Sequence, residues 1–540
     1  MESLWTCNAK SLPGLATQRE LQAREVASVV VKLDQMRLER PRQWGACWVG
    51  ITLWHFMKLS EFWSSRLSSS RQGTDWIHVL IALVVYRLVD PGSEWRLHRH
   101  WYEQSALGDL LGEDFSLAAK DNLYRCLDRL LEHREALFKH LQERWRDEFN
   151  ARFDVLLYDL TSSYFESDPP FPEGDKRQFG YSRDKRSDCV QVVIALIVTP
   201  EGYPLAYEVM AGNTSDKTTL KTFLEKIQNL YGKANRVWVM DRGIPTEEVI
   251  VEMQQSDPQI HYLVGTPKGR LSKLEAKLVE LPWEQARPDV KVKLLPLENE
   301  LYVYVESQDR VKKERSMRLR KLRALIKRLS QLQQSKRKLS RDELLMAVGQ
   351  AKGQAGRVYG LLEIVLPQED QEVNAQTFTF KLNRERYRQW HRREGRYLLR
   401  TNLTDTNPQT LWNYYLQLVA IEEVFRTLKG DLSIRPIYHQ NQSRIEAHIF
   451  VAYLAYCLHV TLKAKLRQVA NGLTPRAVLE KFATMQMINV VFPTAELGKE
   501  LLFRRYTQPE KDHQLLLSQL HWLLPDQPPP QITSTGKIKI

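Results

Sequence analysis

Two aspartates close apolar runs of the kind that form buried strands. Asp159 follows Leu156, Leu157 and Tyr158 in LLYDLTSSYFES, where Leu160 to Ser163 shift toward turn-forming types. Asp241 closes the run in RVWVMDRGIPTEEV, ahead of Arg242, Gly243 and a helix start. Each admits a plain explanation, a carboxylate accepting hydrogen bonds from its own turn. Together they admit another. Two carboxylates within reach of one another repel unless neutralised, and divalent cations between them would remove the conflict and supply Lewis acidity.

Whether they meet depends on the elements that carry them. Residues 1–150 are predicted to be helical, with apolar positions at three- and four-residue spacing in IALVVYRLV and NLYRCLDRLLEHREALFKHLQERW. From about residue 153 the pattern changes to strands: VLLYDL, VQVVIALIV, a PEG turn and YPLAYEVM. A helix through LKTFLEKIQNLY, the strand RVWVMD, the helix TEEVIVEMQQ and the strand HYLVG follow. Three strands, helix, strand, helix, strand is the order of an RNase H-like α/β layer, a mixed sheet flanked by helices. In such a sheet the first and fourth strands are neighbours, so Asp159 and Asp241 would meet.

Residues 266–396 interrupt this rhythm and are read as an α+β insertion domain, because YLLRTNL at 397–403 resumes the strand pattern. One helix, TLWNYYLQLVAIEEVFRTLKG, is expected to run from a Pro408 turn to Gly430. Residues 397–470 complete the core. The helix from Ile445 is apolar on most sides and should be buried. Residues 471–540 are read as a C-terminal helical region ending in a disordered tail, DQPPPQITSTGKIKI.

The third acid lies in IEEVFRTLKGDLSIRPIYH. Here the chain resembles the insertion-sequence transposases with a DDE triad on an RNase H-like fold, in the branch marked by Tyr, two residues, Arg, three residues, Glu, six residues, Lys. The pattern falls on Tyr415, Leu418 in place of Arg, Glu422 and Lys429. FGYSRDKRSDCVQVVIAL, AGNTSDKTTL, MDRG and RIEAHIFVAYLAY extend the resemblance over about residues 153–265 and 397–460. It implies cut-and-paste DNA transposition, with Asp159, Asp241 and Glu422 holding two magnesium ions per active site, manganese being the alternative. It further implies terminal inverted repeats and target DNA as double-stranded partners, a dimer on DNA, and neither a nucleotide cofactor nor a membrane. Arg426 or Arg435 would stand in for the missing Arg, and His439 would be structural or touch phosphate. On the helix, Ile421, Val424, Phe425 and Leu428 form the packed face, Glu422 lies on its flank, and Tyr415, Glu422 and Lys429 fall two turns apart along one line.

The bulk properties agree with a polyanionic partner. Lys and Arg number 78 against 65 Asp and Glu, a formal charge of +13. Residues 311–341 hold thirteen Lys or Arg and one acid, which is +12 of that balance. Leu322, Leu325, Leu329 and Leu332 give this stretch an apolar seam, leaving Arg318, Lys321, Lys327 and Arg328 as candidate phosphate contacts that read no sequence. Arg183, Lys185 and Arg186, in a loop after the first strand, and Arg242 are further candidates. Trp390, among arginines in RERYRQWHRREGR, is a candidate for base stacking against the plainer role of packing. Recognition of the element's ends is assigned to the N-terminal helical domain. Five scattered cysteines without a CxxC pair, and no secretion signal, fit a cytoplasmic, nucleoid-associated prokaryotic protein. A nuclease on the same fold that cuts without joining, and a DNA-binding protein whose site is no longer used, are the competing readings.

Overall fold

The computed structural model describes residues 29–534, except 70–72, 216–218, 233–235, 242–243, 267–273, 275–276, 279, 336, 338, 370, 393 and 405–406. Strand β1 (Arg37–Gln43) precedes helices α1 (Gly45–Phe56), α2 (Trp76–Val89), α3 (Lys120–Leu127) and α4 (Arg134–Phe149). Strands β2 (Val155–Phe165), β3 (Val190–Val198) and β4 (Pro204–Ala211) lead to α5 (Leu220–Tyr231), β5 (Val237–Met240), α6 (Glu247–Gln255) and β6 (His261–Gly265). Next come β7 (Glu284–Arg287), β8 (Val290–Leu297), β9 (Glu300–Ser307), α7 (Gln308–Gln333), α8 (Arg341–Ala355), β10 (Leu362–Val365), β11 (Thr379–Leu382) and α9 (Arg384–Arg392). The chain continues through β12 (Arg396–Thr401), α10 (Pro408–Leu416), α11 (Leu418–Lys429), α12 (Gln442–Val469) and α13 (Pro475–Phe482). It ends with β13 (Gln486–Pro493), β14 (Lys499–Tyr506), α14 (Lys511–Leu520) and β15 (Gln531–Ser534).

These elements form two compact units: residues 1–153, 158–233 and 419–540 in the first, and 154–157 and 234–418 in the second. The first is organised by α12, which is buried on nearly every side. Its most apolar stretch is long enough to cross a bilayer, yet is 94% buried within the protein. Neighbours satisfy its polar groups: Trp145 on α4 donates to Thr461 Oγ1 at 3.0 Å, and Tyr453 and Tyr456 donate to the carbonyls of Pro204 and Gly202 at 3.1 and 2.8 Å. Gly202 holds φ +98°, a turn conformation that favours glycine, beneath the Tyr456 hydroxyl. In this unit β3 lies between β4 and β2, and all nine of its residues are buried.

The first unit also holds the order β1-β13-β14-β15, antiparallel throughout, so residues 37–43 pair with residues 486–491. Two expectations change here. The C-terminal region contains the β13–β14 hairpin, and the start of the supposed disordered tail is β15, with Gln531 opposite Leu502 and Ser534 opposite Lys499. The prolines before β15 obscure it in the sequence, but Pro528 and Pro525 carbonyls accept from Arg505 and Tyr506 and set the chain against β14. Residues 535–540 lie outside the described residues.

In the second unit the strand order is β2-β5-β6-β12-β9-β8-β7, with only the opening residues of β2 belonging to it. Strands β5 and β6 are parallel, and β12 is antiparallel to both β6 and β9. The predicted insertion is therefore two things. Its first part, β7 to β9, extends the sheet edge through the β9–β12 pairing, while α7, α8, β10 and β11 build a separate small core. There Leu322, Leu325, Leu329 and Leu332 pack against Leu344, Val348, Leu361 and Phe378, which is the seam expected from their spacing.

Candidate active site

Asp159 sits inside β2, where the sequence had suggested its end. Thr161, Ser162 and Ser163 are buried in the strand, which runs on to Phe165. Small hydroxylated side chains that favour turns in isolation fit equally well on a crowded interior sheet. Asp159 is half-buried between the buried Tyr158 and Leu160, and its carboxylate accepts from the Leu160 N–H at 2.8 Å. Asp241, in the second unit, is exposed directly after β5. Arg242 and Gly243 lie outside the described residues.

Glu422 is carried by α11. Ile421, Val424, Phe425, Thr427 and Leu428 are buried, the face expected from the periodicity, and both glutamates are exposed. Their circumstances differ. Glu423 pairs with Lys463 at 2.5 Å; partial burial opposes its charge, but Lys463, Arg467 and Arg426 hold its carboxyl below the usual range. Glu422 makes no hydrogen bond or ion pair among the described residues. The expected single helix is interrupted at Gln417, so Tyr415 lies on α10 and is not in line with Glu422 and Lys429 on one continuous helix. Tyr415 instead packs with tilted rings against Tyr397 at 5.2 Å and Trp412 at 5.8 Å in the second unit.

Beyond Glu422, cations of the first unit converge on one carboxylate. Lys429 Nζ is 2.7 Å from Asp184 Oδ1, and Arg435 pairs with the same oxygen. The Asp184 side chain is 6% exposed, and its other oxygen is buried without a hydrogen-bond partner. Burial lowers the Lys429 pKa; Asp184 opposes the fall, while Arg435 and Arg183 add to it. This nook holds more positive than negative charge, and the sequence signal for it, an Asp inside SRDKR, gives no hint that it faces a helix residue 245 positions on. Lys185 is exposed on a left-handed backbone position, φ +60°. Arg186 is engaged by Asp188 at 2.9 Å and Glu166 at 3.3 Å.

Other candidates divide by burial. Arg318 is buried at 5% exposure, paired with Glu394 and lying 5.1 and 5.9 Å from the rings of Tyr387 and Trp390. This corrects its reading as a phosphate contact, since its guanidinium is committed inside the fold. Trp390 is half-buried against the α7–α8 core, which is the packing role. Lys321, Lys327 and Arg328 are exposed.

The described residues hold two clusters of three metal-ligating side chains, and neither contains Asp159, Asp241 or Glu422. In the buried one, Glu94 lies 3.2 Å from His439 and 3.3 Å from His448. Arg87 stands 3.6 Å from Glu94 and 3.3 Å from His448 Nδ1, supplying the charge a cation would bring. Burial, with Arg87 adding to it, pushes His448 down to about 4, so that ring is neutral. Burial opposes the Glu94 charge, yet the two histidines hold its carboxyl well below the usual range. His439 is thus part of a structural network. In the other cluster Asp75 caps α2, accepting from Ile77 and His78 N–H, and Glu113 bonds His78 at 2.8 Å.

Residues 151–458 match the transposase DDE domain family. The chain belongs to that family. Its fold is mixed α/β, with strands flanked by helices, and its activity is DNA transposition, the cutting and rejoining of DNA strands with divalent metal ions. Among solved structures the transposase is similar to a piggyBac transposase in a synaptic complex with hairpin DNA, seen by electron cryo-microscopy, at 8% identity and a TM-score of 0.37 over 85% of this chain and 82% of that one. No curated protein matches the sequence. Glu422, a hard oxygen donor of the kind divalent ions favour, has no cation of its own among the described residues.

Proposed function

We propose that Asp159, Asp241 and Glu422 are the catalytic carboxylates of a cut-and-paste transposase that acts at the ends of its own element. The observation that carries this is the contrast on α11: Glu423 is neutralised by Lys463, while its neighbour Glu422 is exposed and unpaired within the matched domain. Magnesium is the ion these oxygen ligands favour, two per site, with manganese as a substitute. When bound, the ions activate a water or a terminal hydroxyl and stabilise the leaving oxygen. The protein's own part is to hold the strand in line. Lys429 and Arg435 would grip a phosphate beside Glu422, displacing the carboxylate of Asp184 that they hold without DNA. Arg183 and Lys185 lie on the same loop as Asp184, and Lys321, Lys327 and Arg328 would add sequence-independent contacts. The substrate is double-stranded DNA bearing terminal inverted repeats, and two ends joined in one reaction call for a dimer on DNA in a prokaryotic cytoplasm.

Labelled end-bearing duplex with magnesium tests this reading. Wild type is expected to give cleaved and joined products, and Asp159→Ala or Asp241→Ala to bind without cutting. Cleavage retained in either variant removes that residue from the site. Cleavage without joining would make the protein a nuclease.

A further inference from the structure

Within the first unit, the start of α3 and the loop leading into α12 enclose an open cleft of about 590 Å³. Lys120, Arg125 and Arg444 face it, against one acid, Asp121. Arg444 is held by Asp128 through two 2.8 Å bonds and lies 5.2 Å from the centre of the Tyr124 ring, so it shapes the wall. Lys120 and Arg125 are exposed, and neither has an acidic partner among the described residues. Tyr438 stands over the cleft with 63% of its surface exposed.

The backbone beneath Tyr438 is fixed. Ile437 N–H donates to the Tyr164 carbonyl at 3.3 Å, His439 is tied to Glu94, and the Gln440 carbonyl accepts from Arg177 at 3.2 Å. An aromatic ring on a pinned loop gives up little freedom when a flat ligand stacks on it. Trp95 continues this surface at 47% exposure, with Arg99 4.7 Å and Lys120 5.5 Å from its ring centre. Basic groups free to pair beside exposed rings are the chemistry of single-stranded nucleic acid, in which phosphates meet cations and unpaired bases meet aromatic faces. Bases stacked within a duplex offer no face to Tyr438.

We propose that this cleft binds one unpaired nucleotide of a DNA strand, its phosphate on Lys120 and Arg125 and its base against Tyr438. The proposal rests on the transposase reading for the presence of DNA, and adds where an unpaired stretch near an element end is held.

The test uses the full-length protein and fluorescence anisotropy with two dye-labelled probes, a blunt duplex and the same duplex with a three-nucleotide overhang, each over a range of salt. Tyr438→Ala is expected to weaken overhang binding roughly five-fold or more and leave blunt binding unchanged. Tyr438→Phe, which keeps the ring, should bind both probes as wild type does. Changing Lys120 and Arg125 together to Gln should flatten the overhang's plot of log affinity against log salt by about 0.7, the share of the one single-strand phosphate they hold. Overhang binding unaffected by Tyr438→Ala, or equal losses on both probes, overturns the proposal. Magnesium-dependent cutting is followed in the same samples. Wild type that cuts while the variants bind as it does overturns the cleft alone; wild type that neither binds nor cuts overturns the transposase reading with it.

Discussion

Glu422 and Glu423 are adjacent, exposed and chemically identical, so only their surroundings separate them. Glu423→Gln removes an ion pair whose side chains are 50% and 26% exposed, a loss of about 0 to 1 kcal/mol that leaves most of the cleavage rate. Glu422→Gln keeps the helix and removes a charge that no protein cation balances, and cleavage should fall to background. Product formation on a labelled end-bearing duplex reads both, and an active Glu422→Gln beside a dead Glu423→Gln would reverse the assignment. Asp184 gives the second residue-scale prediction. A DNA phosphate must compete with it for Lys429 and Arg435, so Asp184→Asn should tighten DNA binding and steepen its salt dependence by up to about 0.9 in log–log slope. Weaker binding by a folded Asp184→Asn protein would mean that the carboxylate orients the two cations and does not compete with the DNA.

At the scale of elements, the α7 periodicity made its buried face legible, since Leu322, Leu325, Leu329 and Leu332 are where a packed helix needs them. It did not reveal that Arg318 is buried with them, because an arginine beside an apolar seam reads the same whether its head reaches water or a buried Glu394. The strand-end reading of Asp159 and Asp241 rested on apolar runs that are indeed β2 and β5. The extent of β2, the break at Gln417, and the β9–β12 pairing that makes part of the insertion a sheet extension depend on partners distant in sequence, which local patterns do not encode. One experiment separates the two kinds of α7 cation. Lys321, Lys327 and Arg328 changed together to Gln should weaken binding of specific and unrelated DNA alike, flattening the salt slope by roughly 0.9 per contact. Arg318→Gln should instead strip the buried Glu394 Oε1 of its cation, leaving Arg315 and His391 on Oε2 alone, and cost about 1 to 3 kcal/mol in the stability of that small core. Thermal unfolding followed by circular dichroism distinguishes them; a melting temperature unchanged by Arg318→Gln would put its guanidinium in solvent.

At the scale of the whole molecule, α12 has almost no solvent-facing side, and the first unit must therefore absorb whatever polar groups the helix carries. Two are histidines. His448 faces Glu94, Arg87 and His439, and His459 lies near Glu423 and Lys463. Burial is the main cause that pushes both down to about 4, with Arg87 adding to it for His448 and Lys463 for His459. In the unfolded chain an imidazole takes its proton near 6.5. Between those two values the unfolded state binds protons that the folded state refuses, so stability is full above about pH 6.5 and falls as the pH drops, by up to about 1.4 kcal/mol per pH unit for each ring. Glu94, whose carboxyl is held low, keeps its charge throughout this window and adds to the loss only in stronger acid. The melting temperature is therefore expected to decline steadily from pH 7 to pH 5, and His459→Asn, which removes one titrating ring without touching the Glu94 network, should make that decline shallower. A melting temperature constant across the same range would require both rings to be charged in the folded protein, and α12 would then carry protons into its core that Glu94 and Glu423 must balance.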